Sequence, residues 1–273
     1  MGLLQYIENI GIELHSGSEL PLSDGSSALL LCNPTKIECG VAAEGSEQLI
    51  IVHTTDEPSC LTFNLGEGAL LRVVELFLAG SASRSHICQA ADSRCQITSL
   101  VVGDCSADYV VDIDGERAEN TLRSIFLLSQ KEQAKVGVRV NHNASHTFSD
   151  SLVKGIASGE ARGEFDGLVY VAEGVCQVDA RQLSRNIVIG GTSHIATNPQ
   201  LEIYADDVKC SHGATVGQLD GEAVLYMRQR GLSEAQARSL QLEGFVADVL
   251  SLITDEELYE ALKQDLDNKL ELL

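Results

Sequence analysis

Residues 185–220 read RNIVIGGTSHIATNPQLEIYADDVKCSHGATVGQLD, a stretch of strand character that carries a Cys-Ser-His triplet at positions 210–212. In an extended strand, alternate side chains share a face, so Cys210 and His212 stand side by side while Ser211 points away. Their Cα atoms would lie roughly 6 to 7 Å apart. A thiolate beside an imidazole suits iron, zinc or copper, and the thiolate in particular suits iron-sulfur chemistry. Such centres take about four ligands. No second Cys or His follows within ten residues of His212, so any remaining ligands must come from elsewhere, another chain included.

Upstream of the triplet, from about Ser27, the chain is a succession of short β-rich segments: ALLLC, QLIIVHT, CLTFNL, LLRVVELFL, QITSLVVG, YVVDI, SIFLL, VGVRVN, LVYV, IVIG and LEIYA. Gly, Ser, Asn and Asp separate them. Most are apolar-rich rather than cleanly alternating, which predicts an all-β domain whose strands are sandwiched between layers. Sandwich, barrel and solenoid all satisfy this pattern, and no strict period selects among them. Gly155, Gly159, Gly163, Gly167, Gly174, Gly190 and Gly191 are suited to tight corners. Gly190-Gly191 lacks the Lys-Ser/Thr that a phosphate loop requires.

After Leu219 the apolar period lengthens toward 3.6. Asp220 is placed to cap a helix running to about Arg230, which Gly231 ends. Ser233 and Gln236 form a capping box for a second helix, with Leu242, Phe245, Val246, Val249, Leu250 and Ile253 on one face. Thr254 with Glu257 would cap a third, striped by Leu258, Leu262, Leu266 and Leu270. The division expected is a β core over residues 1–219 and a helical domain over 220–273. Fifty-odd residues cannot bury all that apolar surface alone, so the tail must lean on the β core or on another protein.

Composition narrows the function classes. The formal charge is −21, from 40 acidic and 19 basic residues, which opposes binding to a polyanion such as nucleic acid. The first residues lack a basic lead and carry Glu8 and Glu13, unlike a secretory signal. Tyr6 replaces the Ser or Thr of a myristoylation motif, and no apolar run is long enough to span a bilayer. The expectation is a cytoplasmic protein without a membrane partner. Its eight cysteines form no C-x-x-C pair and would stay reduced there, those other than Cys210 serving as small core hydrophobes.

Other titratable residues have weaker patterns. His142 and His146 are separated by four residues, a zinc spacing on a helix, but their Asn, Ser and Thr neighbours argue for strand and turn. His53, His86 and His194 are isolated in sequence. Asp206 and Asp207 suit a turn, or orientation of His212 from behind.

LEIYADDVKCSHGATVGQLD, together with NIVIGGTSHIATNP, LYMRQRGLSEAQA and, more loosely, VNHNASHTFSDSLVKGIASGEARGEFDGLVYV, resembles the SufB/SufD family of scaffolds in the SUF iron-sulfur cluster assembly system. The resemblance covers the C-terminal half of the chain and implies a right-handed parallel β-helix core with a small C-terminal helical domain. It also implies that Cys210 and His212 face the partner SufB, which supplies further ligands to iron or a transient iron-sulfur cluster, and that the C-terminal helices dock the ATPase SufC. Gly213 stands where SufB carries a glutamate, which places the chain on the SufD side. The substantial N-terminal helical region of longer relatives is not expected here. The chain would then catalyse nothing by itself. Two alternatives are a homodimer acting with SufC alone, in which two Cys210-His212 pairs meet, and a carbohydrate-active enzyme on a β-solenoid. The lack of Trp and an aromatic content of 4% disfavour a sugar-stacking groove.

Overall fold

The computed structural model describes residues 29–78, 80–271 and 273. The segment bearing Tyr6, Glu8 and Glu13, on which the leader and lipidation expectations rest, lies outside them. The described strands in chain order are β1 (Leu29–Cys32), β2 (Lys36–Val41), β3 (Ser46–His53), β4 (Ser59–Leu65), β5 (Leu70–Phe77), β6 (Ala82–Gln89), β7 (Arg94–Val102) and β8 (Cys105–Ile113). They continue with β9 (Glu119–Leu128), β10 (Gln133–His142), β11 (Phe148–Ser158), β12 (Arg162–Val171), β13 (Val178–Ile189), β14 (His194–Ile203) and β15 (Val208–Gly217).

Odd-numbered strands form one sheet in sequential order and even-numbered strands a second. Every pairing in both ladders is parallel. The chain thus alternates between two facing sheets and climbs one strand at each return, which is a parallel β-helix. The inward faces meet in a continuous core containing Phe63, Phe77, Phe126 and Phe165.

The two sheets differ on their outer faces. The even strands alternate between buried and accessible positions, as in β2 and β12, because their outer face meets water. Odd strands from β3 to β11 carry unbroken buried runs in their C-terminal halves. Helices cover that part of the odd sheet: α1 (Gly221–Gln229), α2 (Glu234–Val246), a 3₁₀ turn at Val249–Leu252, and α3 (Glu256–Leu270). Ile50, Val74, Leu100, Ile125 and Ile156 of the sheet share one buried cluster with Leu242, Val246, Leu258, Leu262, Leu266 and Leu270. The helical segment therefore leans on its own β core. Lys154, only 4% exposed, fastens the two layers by donating to the Phe245 carbonyl and to Asp248 Oδ1, both at 2.5 Å.

Several local expectations change. β2 carries Lys36 and Glu38, and β6 and β11 are rich in Ser and charge; all three are absent from the apolar segments, because an outer face in water or a polar interior does not require an apolar run. Asp220 and the Ser233/Gln236 capping box act as expected, whereas α3 is capped by Asp255, one residue beyond Thr254. The second helix stops at Val246 and a 3₁₀ turn carries Val249 and Leu250 into the core. Gly159, Gly174 and Gly190 take positive φ at corners. Gly155 and Gly163 instead lie within strands, where a Cβ would come within 2.1 and 2.4 Å of the Phe126 ring.

Candidate functional site: the open end of the solenoid

Cys210 and His212 lie on β15, the last strand of the odd sheet, and pair in register with Ala180 and Gln182 of β13. Both partners are buried and face inward, so Cys210 and His212 share the inward face of the terminal turn. No described strand lies beyond β15, and exposure rises along it. Cys210 is half-buried and His212 exposed. Cys210 rests against the small apolar cluster of Val169, Val171, Val178 and Ala180. That burial raises its thiol pKa; a backbone hydrogen bond at Ala180 opposes the shift and Asp179 adds to it. The thiol is therefore protonated at neutral pH, and a metal ligating it must displace that proton.

The residue beneath His212 was not singled out by the sequence. Gln182 is 1% exposed, and neither end of its amide has a hydrogen-bond partner. Its side chain crosses the interior to Gly167 of β12, where a Cβ would stand 2.3 Å from the amide oxygen. Thr197 on β14 likewise has an unmatched buried hydroxyl. The open end thus pairs a thiol and an imidazole with unspent polar groups, and β15 adds a free strand edge that another chain can use. A lone Gln within a polar run has no sequence signal of its own. Its position emerges only from the β13–β15 register.

The remaining histidines and acids fall elsewhere. His142 is buried at the end of β10, bonded to Thr147 Oγ1 and Ser149 Oγ at 2.8 Å each, and burial lowers its pKa to about 4. His146 sits in a following turn with φ of 60°, so the two do not form a ligand pair. His53 is a core residue, bonded to Glu75, which also accepts from the Tyr109 hydroxyl. Asp206 and Asp207 lie in the loop before β15, where the Asp207 carbonyl accepts from Gln177 N–H. Gly213 is tight: a Cβ there would stand 3.0 Å from a Leu183 methyl.

All eight cysteines are free, but they are not uniformly core residues. Cys39, Cys95 and Cys105 are buried; Cys32, Cys88 and Cys176 are half-buried, and Cys60 is exposed. His86 is not isolated either, since Cys88 and Asp112 adjoin it. His-x-Cys at 86–88 is the same alternate-position signal as Cys-x-His at 210–212, read in reverse.

The fold defines a class, a two-sheet parallel β-helix with a helical layer on one outer face. Within that class, residues 41–245 match the family described as SUF system FeS cluster assembly, SufBD core domain, and the chain belongs to it. The iron-sulfur cluster assembly protein SufD of Escherichia coli is 30% identical over 229 residues, covering 79% of this chain and 54% of that protein. An iron-sulfur cluster assembly SufBD family protein of Synechocystis sp. is 29% identical over 211 residues, covering 70% of this chain and 47% of its own length. The chain spans about half the length of these curated relatives. The family acts in iron-sulfur cluster assembly, which sets aside the carbohydrate reading. Among the described residues, no helix is long and apolar enough to cross a membrane.

Proposed function

We propose that this chain is a SufD-like, non-catalytic scaffold subunit in which Cys210 and His212 form half of a coordination site for iron or a nascent cluster, completed by a second protein. The observation that carries the reading is their joint placement on the inward face of β15, at the strand where the ladder stops. The second protein is SufB; a second copy of this chain meets the same geometric need through a two-fold contact. SufC is assigned to the helical layer. The inner face of that layer is spent on the odd sheet, so the contact falls on its outer side, where Leu225, Tyr226 and Leu240 are exposed. The setting is cytoplasmic.

The test is cluster build-up in a reconstituted assembly containing SufB and SufC, with alanine at both Cys210 and His212. Both side chains sit at an end where little packs over them, so light scattering should report an assembly of unchanged mass. Iron and acid-labile sulfide bound per complex should fall to background. Wild-type cluster yield from the double variant would remove these residues from the site.

A further inference from the structure

β6 crosses the even sheet with Ser83, Ser85, Ile87 and Gln89 buried, which leaves Arg84, His86 and Cys88 on the outer face. The β6–β8 register sets Asp112 beside Cys88, and the β8–β10 register sets Asn141 beside Asp112. Three ligand types therefore meet on one patch of sheet. His86 Nε2 is 2.7 Å from Asp112 Oδ2, and Cys88 Sγ is 3.7 Å from His86 Nε2. All three ligand atoms lie within 4.8 Å of one another. The second carboxylate oxygen, Oδ1, accepts from Asn141 Nδ2 at 2.6 Å, which fixes the direction in which Oδ2 points.

We propose that His86, Cys88 and Asp112 form a binding site for a divalent first-row transition ion, separate from the Cys210-His212 pair. A tetrahedral ion with bonds of about 2.0 to 2.3 Å holds its ligands about 3.3 to 3.7 Å apart. The sulfur-to-nitrogen separation already matches, and the histidine-carboxylate contact needs to open by only about half an ångström. Thiolate, imidazole and carboxylate together select zinc or ferrous iron over magnesium or calcium. A histidine-aspartate contact alone would be an ordinary surface ion pair; the thiol two positions along the strand makes it a three-ligand set. The Asn141 amide acts as the outer-shell group that orients a ligating carboxylate. His86 and Asp112 side chains are 43% and 26% exposed, so an ion can reach them and keep a fourth position open. β6 lies four strands from β14 in the even sheet, roughly 20 Å along the solenoid, too far for the two sites to share one ion.

The experiment is a titration of the purified, chelator-stripped full chain with Co²⁺ under reducing conditions, read by thiolate-to-cobalt charge-transfer absorption and the visible bands of tetrahedral cobalt. One equivalent should produce both. Cys88→Ser, a near-isosteric change at a half-buried position, should abolish the charge-transfer band, and Asp112→Asn should weaken binding about tenfold or more. Replacing Cys210 and His212 with alanine should leave both signals in place, so this result stands apart from the outcome for cluster build-up. Absence of the band in the wild-type chain, its survival in Cys88→Ser, or its loss on replacing Cys210 and His212 would overturn the proposal.

Discussion

His142 shows how burial decides what a histidine does. Its imidazole titrates near 6.5 when unfolded and near 4 in the fold, because burial disfavours the charged ring. Between those values the unfolded chain holds the extra proton, so stability rises with pH across the window and is lost on acidification through it. The shift corresponds to about 3 kcal/mol by the bottom of the window. Thermal unfolding followed from pH 7 to pH 4 should show this acid limb, and His142→Gln should flatten it while lowering stability at pH 7; an unchanged limb would show that other groups control it. The His142/His146 spacing could not reveal this, since both depend on a strand ending between them. Cys210 and His212 were legible for the opposite reason. Their shared face follows from strand periodicity alone, without knowledge of neighbours.

At the scale of elements, the helices account for only part of which strands were legible: β4, β8, β10 and β12 were read as strands although their outer face meets water, and β11 was not although the helices cover it. β3, β5, β7 and β9 read as apolar because they are covered on both faces at their C-terminal ends. β2 and β6 read as polar because their outward positions carry Lys36 and Glu38, and Arg84 and His86. The Leu258, Leu262, Leu266 and Leu270 stripe was legible, and so was its need for a partner surface; which surface was not, because the stripe says nothing about what it meets. Lys154 marks the answer. Asp248→Ala would leave a buried ammonium with only the carbonyl and ring face of Phe245, at a cost of about 2 kcal/mol after allowing for the half-exposed aspartate. Lys154→Met replaces the ammonium that lies 4.5 Å over the Phe245 ring by an apolar side chain of similar length and removes the buried charge, so it should stay within about 1 kcal/mol of wild type. Urea unfolding midpoints compare the two; equal losses would mean that the contact acts through packing and not through charge.

Across the whole molecule, the solenoid was legible through the family resemblance and not through a repeat in the residues, because its turns are not of equal length. Leu70 stands opposite Arg94, twenty-four residues on; Glu119 opposite Phe148, twenty-nine on; and Arg162 opposite His194, thirty-two on. Several of the earlier turns keep a step of twenty-four residues, as from Lys36 to Cys60, Ser59 to Ser83 and Ala82 to Ser106, and the later ones lengthen as corners absorb extra residues, so no single period runs through the whole chain. The widening turns end at β14 and β15, where the interior opens beside Cys210, His212 and the unmatched Gln182 amide. An end of this kind is finished by another molecule or left to water.

Thiol alkylation of Cys210, followed by mass spectrometry in the isolated chain and in the assembly with SufB and SufC, distinguishes these cases most directly, with exposed Cys60 as the internal reference. A second chain seated over β15 predicts that Cys210 is modified in the isolated chain and protected in the assembly while Cys60 reacts alike in both; equal modification of Cys210 in the two would contradict it.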